Sequence, residues 1–374
     1  MSDSIGSVAR RRVDVAIERI DVSAYTIPTD FPETDGTYDW NSTTLVIVQA
    51  TAGGLQSLGY AYADPVTARL IKDVLVEVVL GRDAMAVPGA WNAMVRAIRE
   101  VGRPGIASTA ISAVDVALWD LKARLLGLPL VSLLGPVRET VPVYGSGGFT
   151  SYSISQLQEQ LGGWVASGIS RVKMKVGREP EEDLDRVRAA RDAIGAQAEL
   201  FVDANGAYSR KQALAFAEAF AEYGVTWFEE PVSSDDLAGL RLLRDRGPSG
   251  MEITAGEHGY DQFYFRRMLE AEAVDVLQAD ARRCGGITGF MRVAALCEAR
   301  SIPLSSHTAP ALHVHSACAL TPIRHIEYFH DNVRIEHLLF DGALTPINGA
   351  IRPDLSRPGL GLAFKRADAE PYAV

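Results

Sequence analysis

From Val141 to about Phe340 the chain alternates short apolar runs with stretches of helical apolar spacing, and nearly every apolar run ends on a charged or imidazole side chain. Runs 171–176, 199–203, 225–229, 253–257, 274–280 and 302–307 read as buried parallel strands. Between them, 181–194, 210–223, 236–246, 261–273 and 287–300 read as helices, the first three of which are followed by Gly195, Gly224 and Gly247. Lys175, Asp203, Glu229, Glu257, Asp280, His307 and Glu327 stand 28, 26, 28, 23, 27 and 20 positions apart, by difference of residue number. That is roughly the chain length of one βα unit, since about 250 residues cover eight. The alternation predicts a closed parallel α/β barrel, and strand-end spacing predicts that these seven groups converge on one face.

The front of the chain has a different grammar. Runs 13–27, 43–50 and 57–62 read as strands, with Gly53 and Gly54 turning between the last two. Helical spacing then covers 66–80, 91–101 and 106–126, where Gly127 and Pro129 supply a stop. Residues 1–138 are therefore expected to form an α+β domain ahead of a barrel spanning 139–340. The Gly- and Pro-rich tail 341–374 is expected to pack back on the front domain. Residues 29–41 are polar and turn-rich but carry Phe31, Tyr38 and Trp40, and are expected to form a lid loop.

Several function classes are disfavoured. A net charge of −10 argues against nucleic acid, whose binding rests on clustered Lys and Arg. Arg10–Arg12 lead into Asp14, Glu18 and Arg19 rather than the apolar core of a signal peptide, and the longest aliphatic run, 74–80, is interrupted by Glu77. A cytoplasmic protein that does not engage membranes is the expectation. Cys284, Cys297 and Cys318 lack CxxC spacing, so neither a disulfide framework nor a thiolate metal site is indicated.

Only six lysines occur, and two of them are Lys173 and Lys175 in Arg-Val-Lys-Met-Lys-Val. A strand period of two sends both ammonium groups to one side and Val172, Met174 and Val176 to the other. In a barrel the second side packs on helices, so both lysines face the interior or mouth. A solvated edge strand would carry the same pattern, but the units that follow give no sign of an edge. Asp203, Glu229 and Glu257 end three consecutive strands and would repel one another unless a cation lay between them. Mg²⁺, with its oxygen shell and positions left for water or substrate, fits three carboxylates. Asp280 beside His307 would orient the imidazole and favour its protonated form. His313 and His315, on the helix expected after the seventh strand, point apart and are not expected to bind metal.

Lys-Met-Lys at 173–175, Val-Asp-Ala-Asn at 202–205, Trp-Phe-Glu-Glu-Pro at 227–231, Ala-Gly-Glu at 255–257, Asp280 with Gly285-Gly286, Ser-Ser-His at 305–307 and Glu327 together resemble the enolase superfamily, in its mandelate racemase subgroup. The resemblance spans nearly the whole chain. It implies a modified TIM barrel, (β/α)₇β, under an α+β capping domain completed by the C-terminal tail, in a homo-oligomer. It further implies that Asp203, Glu229 and Glu257 hold Mg²⁺, that Lys175 and the His307–Asp280 pair are acid/bases on opposite faces, and that Lys173 lies near the substrate carboxylate. Glu327 would hydrogen-bond that carboxylate, Asn205 would touch substrate, and Tyr38, Trp40 and Arg283 are further substrate-binding expectations.

The implied chemistry is abstraction of the proton α to a carboxylate through an enediolate. Dehydration of an acid sugar to a 2-keto-3-deoxy acid is the expected outcome, with racemisation of a 2-hydroxy acid as the alternative. Lys175 is then expected to have its pKa drawn down from about 10.4 towards 7 or 8. The muconate cycloisomerase and dipeptide epimerase subgroup is disfavoured, because no lysine lies between Lys211 and Lys365 to serve as its second base. Asp30, Glu33, Asp35 and Asp39 make the lid segment acidic, which sits awkwardly with an anionic substrate. A non-catalytic ligand-binding barrel would show a broken constellation, and a metal-dependent hydrolase would want histidines early in the chain, where residues 1–257 have none.

Overall fold

The computed structural model describes residues 15–374, so Arg10–Arg12 and the start of the first expected strand lie outside the described residues. A long antiparallel hairpin opens the fold: β1 (Arg19–Thr34) pairs with β2 (Asp39–Ala52), which also takes β3 (Leu55–Gln56) and β4 (Gly59–Tyr62). The expected loop 29–41 is therefore corrected to the tip of this hairpin. Its strands slip register between Pro28 and Glu33, and its turn is closed by Asp35, whose Oδ1 accepts from the N–H groups of Thr37 and Tyr38, both at 2.7 Å. The tip reads as loop in sequence because its side chains escape the inside-outside alternation that marks the rest of the hairpin.

Helices 66–79, interrupted by a π turn at Ile71–Leu75, Val87–Ala97 and Ile106–Leu125 follow. The last is buried along nearly its whole length, because it lies between the capping sheet and the barrel. Its polar residues fasten the two layers. Asp120 accepts from Leu58 N at 2.8 Å on one side. On the other, Ser112 Oγ accepts from Gly285 N and Gly286 N, Ser108 Oγ donates to Tyr260 O, and Asp115 accepts from Thr288 N and its hydroxyl.

Eight parallel strands then close a barrel: β5 (Val141–Gly147), β6 (Arg171–Lys175), β7 (Glu199–Asp203), β8 (Val225–Glu229), β9 (Glu252–Ala255), β10 (Val276–Ala279), β11 (Leu304–Ser306) and β12 (Ile323–Phe329), with β12 pairing back on β5. Seven helices intervene, giving (β/α)₇β, and an eighth, His330–Leu339, turns back toward the cap, where Tyr60 Oη donates to Glu336 at 2.7 Å. Helix Ile154–Ala166 joins the five read from sequence; it starts on a Ser153–Gln156 capping box, as helix Arg210–Ala221 does on Ser209–Gln212.

The period of two governs the barrel wall. Val172, Met174, Leu200, Val202 and Phe228 join the helix-facing core, whereas Tyr144, Phe201, Trp227 and Val276 form a separate plug inside the strands. Above that plug, toward the strands' C-terminal ends, the inward positions turn polar. The tail returns to the cap: Phe364 packs on Tyr25 with ring centroids 5.4 Å apart, and Val374 N donates to Ala24 O at 3.1 Å. Among the described residues no helix is long and apolar enough to cross a membrane.

Candidate active site

Register places the first layer of the site. Lys175, Asp203 and Glu229 are successive partners across β6, β7 and β8, so strand pairing alone brings an ammonium and two carboxylates side by side. Glu257 follows β9 through Gly256, whose φ of 134° and whose missing Cβ, which would stand 2.1 Å from Gln278 O, let the chain turn inward. Asp203, Glu229 and Glu257 are all buried and each offers a carboxylate oxygen within 4.8 Å of the others. Lys173 Nζ lies 2.6 Å from Glu229, 2.9 Å from Glu327 and 3.4 Å from Asp203, and Lys175 Nζ lies 2.5 Å from Asp203.

The donor set fits a hard divalent cation. Six buried carboxylates (Asp203, Glu229, Glu230, Glu257, Asp280, Glu327) face four fixed cations (Lys173, Lys175, Arg282, Arg283), so the formal balance is two negative charges before any histidine is counted. Burial and the neighbouring Asp203 push the Glu229 carboxyl well above the usual range, the signature of an uncompensated pair. Glu257 Oε2 makes no well-aligned hydrogen bond among the described residues, although His307 Nε2 lies 3.2 Å from it. Three buried oxygen ligands without imidazole or thiolate match Mg²⁺.

Lys175 departs from its expected state. Burial pulls its pKa down, but the contact with Asp203 outweighs it and holds the ammonium above its ordinary value. Register sets Asp203 directly beside Lys175, a contact that residue spacing alone does not reveal. Lys173 is likewise held well above its ordinary value against burial by Glu229 and Glu327. Against burial, Lys173 draws Glu327 down to about 2, and Thr308 N donates to its Oε2 at 2.9 Å. Glu327 is thus an anion whose oxygens are already engaged, which is at odds with a direct hydrogen bond to a substrate carboxylate.

On the far wall, His307 follows β11. Its Nδ1 lies 2.8 Å from Asp280 Oδ2, and its Nε2 points into the site, 3.2 Å from Glu257 and 3.9 Å from Glu327. Lys175 on the second strand and His307 on the seventh therefore approach the same acid trio from different walls. Burial alone would raise Asp280, but Arg282 and His307 hold it well below the carboxylate range. Arg282 was not among the residues singled out in sequence. It is buried, chelates Asp280 through Nε and Nη2, and places Nη2 3.3 Å from His307 Nδ1. The signal was available only as an arginine two residues after a strand-end aspartate.

The other expected site residues divide. Asn205 sits in the left-handed region at φ 47°, its N–H caps Asp203 at 2.9 Å, and its buried Oδ1 has no partner among the described residues. Arg283 reaches Glu257, through the backbone oxygen at 3.1 Å and Oε1 at 3.3 Å. Tyr38 and Trp40 stack on each other at the hairpin tip. Trp40 spends its N–H on Glu33 at 2.7 Å and sets its ring edge-on to Phe149, so neither aromatic residue is bonded to the acid trio. Glu33 is itself fully buried, and burial, with Asp331 adding repulsion, pushes its carboxyl up to about 9. His313 and His315 lie buried on opposite errands, accepting from Ala281 N and Val131 N. Beside the trio, Glu230 and His258 gather around Glu257 as an outlying extension of the same cluster.

The hairpin tip seats on this mouth. Gly36 is so close to the ends of β6 and β7 that an added Cβ would stand 2.8 Å from Val176 O and 2.3 Å from Ala204 O, and Thr37 Oγ1 donates to Asn205 O at 3.3 Å.

Comparison with known proteins agrees with this geometry. Residues 156–369 match the enolase C-terminal domain-like family, and residues 27–135 match the mandelate racemase / muconate lactonizing enzyme N-terminal domain. The chain belongs to the mandelate racemase / muconate lactonizing enzyme family of the enolase superfamily. Among members of this family, 3,6-anhydro-alpha-L-galactonate cycloisomerase of Streptomyces coelicolor is 34% identical over 361 residues, 94% of this chain and 98% of that one. A crystal structure of a mandelate racemase/muconate lactonizing enzyme-like protein from Rubrobacter xylanophilus superposes with a TM-score of 0.94 at 57% identity, over 96% of this chain and 100% of that one. L-Talarate dehydratase from Polaromonas sp. JS666, complexed with Mg and L-glucarate, superposes with a TM-score of 0.87 at 29% identity, over 96% and 98%. Curated relatives of the chain include dehydratases and cycloisomerases of sugar acids, and the similar solved structures also include a racemase from Streptomyces coelicolor with bound magnesium.

Proposed function

We propose that this protein is a Mg²⁺-dependent acid sugar dehydratase that removes the proton α to a carboxylate and expels the β-hydroxyl, giving a 2-keto-3-deoxy acid. The observation that carries the reading is the approach of Lys175 and of the His307–Asp280 pair to one acid trio from two walls of the barrel mouth. The dehydratase with Mg and L-glucarate bound is consistent with it.

Asp203, Glu229 and Glu257 would hold the ion, which when bound supplies positive charge to the substrate carboxylate as the α-proton leaves. With all three carboxylates committed to that role, Lys175 would lose the attraction of Asp203, Glu257 and Glu229 and would retain burial and the repulsion of Lys173, both of which favour the neutral amine. Lys175 Nζ then takes the α-proton. Lys173, anchored by Glu229 and Glu327, keeps a fixed charge where negative charge develops. His307, its Nδ1–H fixed on Asp280, presents Nε2 to the departing hydroxyl and gives it a proton, so the two groups together carry out a net loss of water. Gly36 and Thr37, seated on the ends of β6 and β7 and on Asn205, would cover one side of the bound substrate.

Two acid/bases on two walls also suit inversion at the α-carbon, so racemisation or epimerisation of a 2-hydroxy acid is the second reading. Incubating the Mg²⁺-loaded protein with a panel of aldonic and aldaric acids in D₂O separates the two. Dehydration yields a 2-keto acid, and racemisation yields α-deuterium without ketone. Failure of every acid to lose its α-proton would refute both.

A further inference from the structure

We propose that Asp30, Glu33 and His330 form a second divalent-cation site, of mixed nitrogen and oxygen ligands suited to Zn²⁺, that pins the hairpin tip to the barrel rim. The three residues come from two elements. Asp30 lies inside the register slip of β1 and Glu33 closes it, and His330 opens the helix that leaves β12. Each offers a ligand atom within 4.8 Å of the others. His330 Nε2 already stands 2.9 Å from Asp30 Oδ2.

Glu33 is the independent sign. It is fully buried, one oxygen is held by Trp40 Nε1 at 2.7 Å, and Oε1 has no hydrogen-bond partner among the described residues. A buried carboxyl oxygen left without a partner is costly, and a cation shared with Asp30 and His330 would satisfy it, taking the place of the proton that burial otherwise keeps on Glu33. The neighbouring charges do not: Arg334 is committed to Asp331, at 2.6 Å, and to Pro28 O.

The ligand types select the ion. Imidazole with two carboxylates suits zinc, whose bonds to nitrogen and oxygen are about 2.0–2.2 Å, whereas the trio at the barrel mouth has oxygen alone and suits Mg²⁺. His330 and Asp30 remain one quarter and about one third exposed, so an ion can enter from solvent and keep water in a fourth position. Bound there, it would reinforce the straps that Arg334 makes on Pro28 O and Asp331 makes on Thr43 Oγ1. The site shares no residue with the acid trio and does not depend on the reaction proposed for it.

The test is Zn²⁺ titrated into the full-length protein already saturated with Mg²⁺, read by calorimetry and by hydrogen exchange across residues 29–41. The expected result is about one further equivalent of Zn²⁺, slower exchange in the hairpin tip, and at least a tenfold loss of affinity in both H330Q and D30N. E257Q, which cripples the trio and its Glu230–His258 extension, should keep the uptake. Circular dichroism melting of each variant in Mg²⁺ guards against misfolding, and His330 and Asp30 are exposed enough to replace. No Zn²⁺ uptake by the Mg²⁺-saturated protein, equal affinity in H330Q and D30N, or loss of uptake in E257Q would each overturn the site.

Discussion

At the scale of single residues, the site assigns one proton to each wall, and the two can be removed separately. In H307N the acid that releases the β-hydroxyl is gone while Lys175 is untouched. Dehydration is therefore expected to fall by about 10²–10⁴-fold, the usual worth of a positioned acid/base, with exchange of the α-proton into D₂O surviving. In K175A both should vanish together. NMR of substrate in D₂O decides it, and a K175A enzyme that still exchanges its α-proton would assign the base to His307 instead. Arg282 belongs to the same scale. Because it chelates Asp280 and touches His307 Nδ1, R282M leaves a buried aspartate short of its strongest partner while removing no group that moves a proton. The expected outcome is a lowered kcat with KM little changed, measured by steady-state kinetics; an unchanged kcat would show that Asp280 orients His307 unaided.

At the scale of elements, what was legible in sequence was whatever local periodicity carries. The alternation of Lys173 and Lys175 against Val172, Met174 and Val176 fixed the facing of β6, and strand-end spacing anticipated that seven groups would gather on one rim. What escaped depends on contacts between distant elements. The charge state of Lys175 turns on pairing register with Asp203, Arg282 on the depth of its loop, and the tip of the β1–β2 hairpin on Gly36 seating against Val176 and Ala204. That seat gives a prediction. G36V adds bulk where a Cβ alone is too close to two carbonyls, so the tip must lift while the strands behind it stay paired. Hydrogen exchange at residues 33–40 should accelerate and kcat/KM drop by about tenfold or more, since a displacement of an ångström costs up to about 100-fold. A wild-type kcat/KM in G36V would show that the tip does not serve the site.

The helix between cap and barrel carries a pH-dependent joint. Burial raises Asp115 from 3.8 to about 7, although Thr288 donates to it twice. A carboxyl whose folded pKa is raised binds its proton more tightly in the native state. Its contribution is therefore complete below about pH 4 and is lost as pH climbs through 7. Replacing it with asparagine removes that dependence. The melting temperature of D115N relative to wild type should rise from pH 5 to pH 7 and level off above it, and a difference that is flat from pH 5 to pH 7 would mean that Asp115 is ionised throughout.

At the scale of the whole molecule, the metal ligands lie on the barrel, yet the cap should feel their occupancy. Helix Ile106–Leu125 is buried between the layers and holds the loop after Asp280 through Ser112 and Asp115, Gly36 of the hairpin meets the ends of β6 and β7, and the tail closes on Tyr25 and Ala24. With so much of the polar fastening shared, cap and barrel are expected to unfold as one cooperative unit. An ion that binds only the folded state stabilises that unit by mass action, by about 2.7 kcal/mol at a hundredfold excess over its Kd. Scanning calorimetry should then show a single transition that moves up with Mg²⁺ in the wild type and moves far less in E257Q, whose third carboxylate charge is lost. Two transitions, of which only one answered to Mg²⁺, would mean that the cap is an independent lid, and that closing the mouth draws nothing from the charges gathered beneath it.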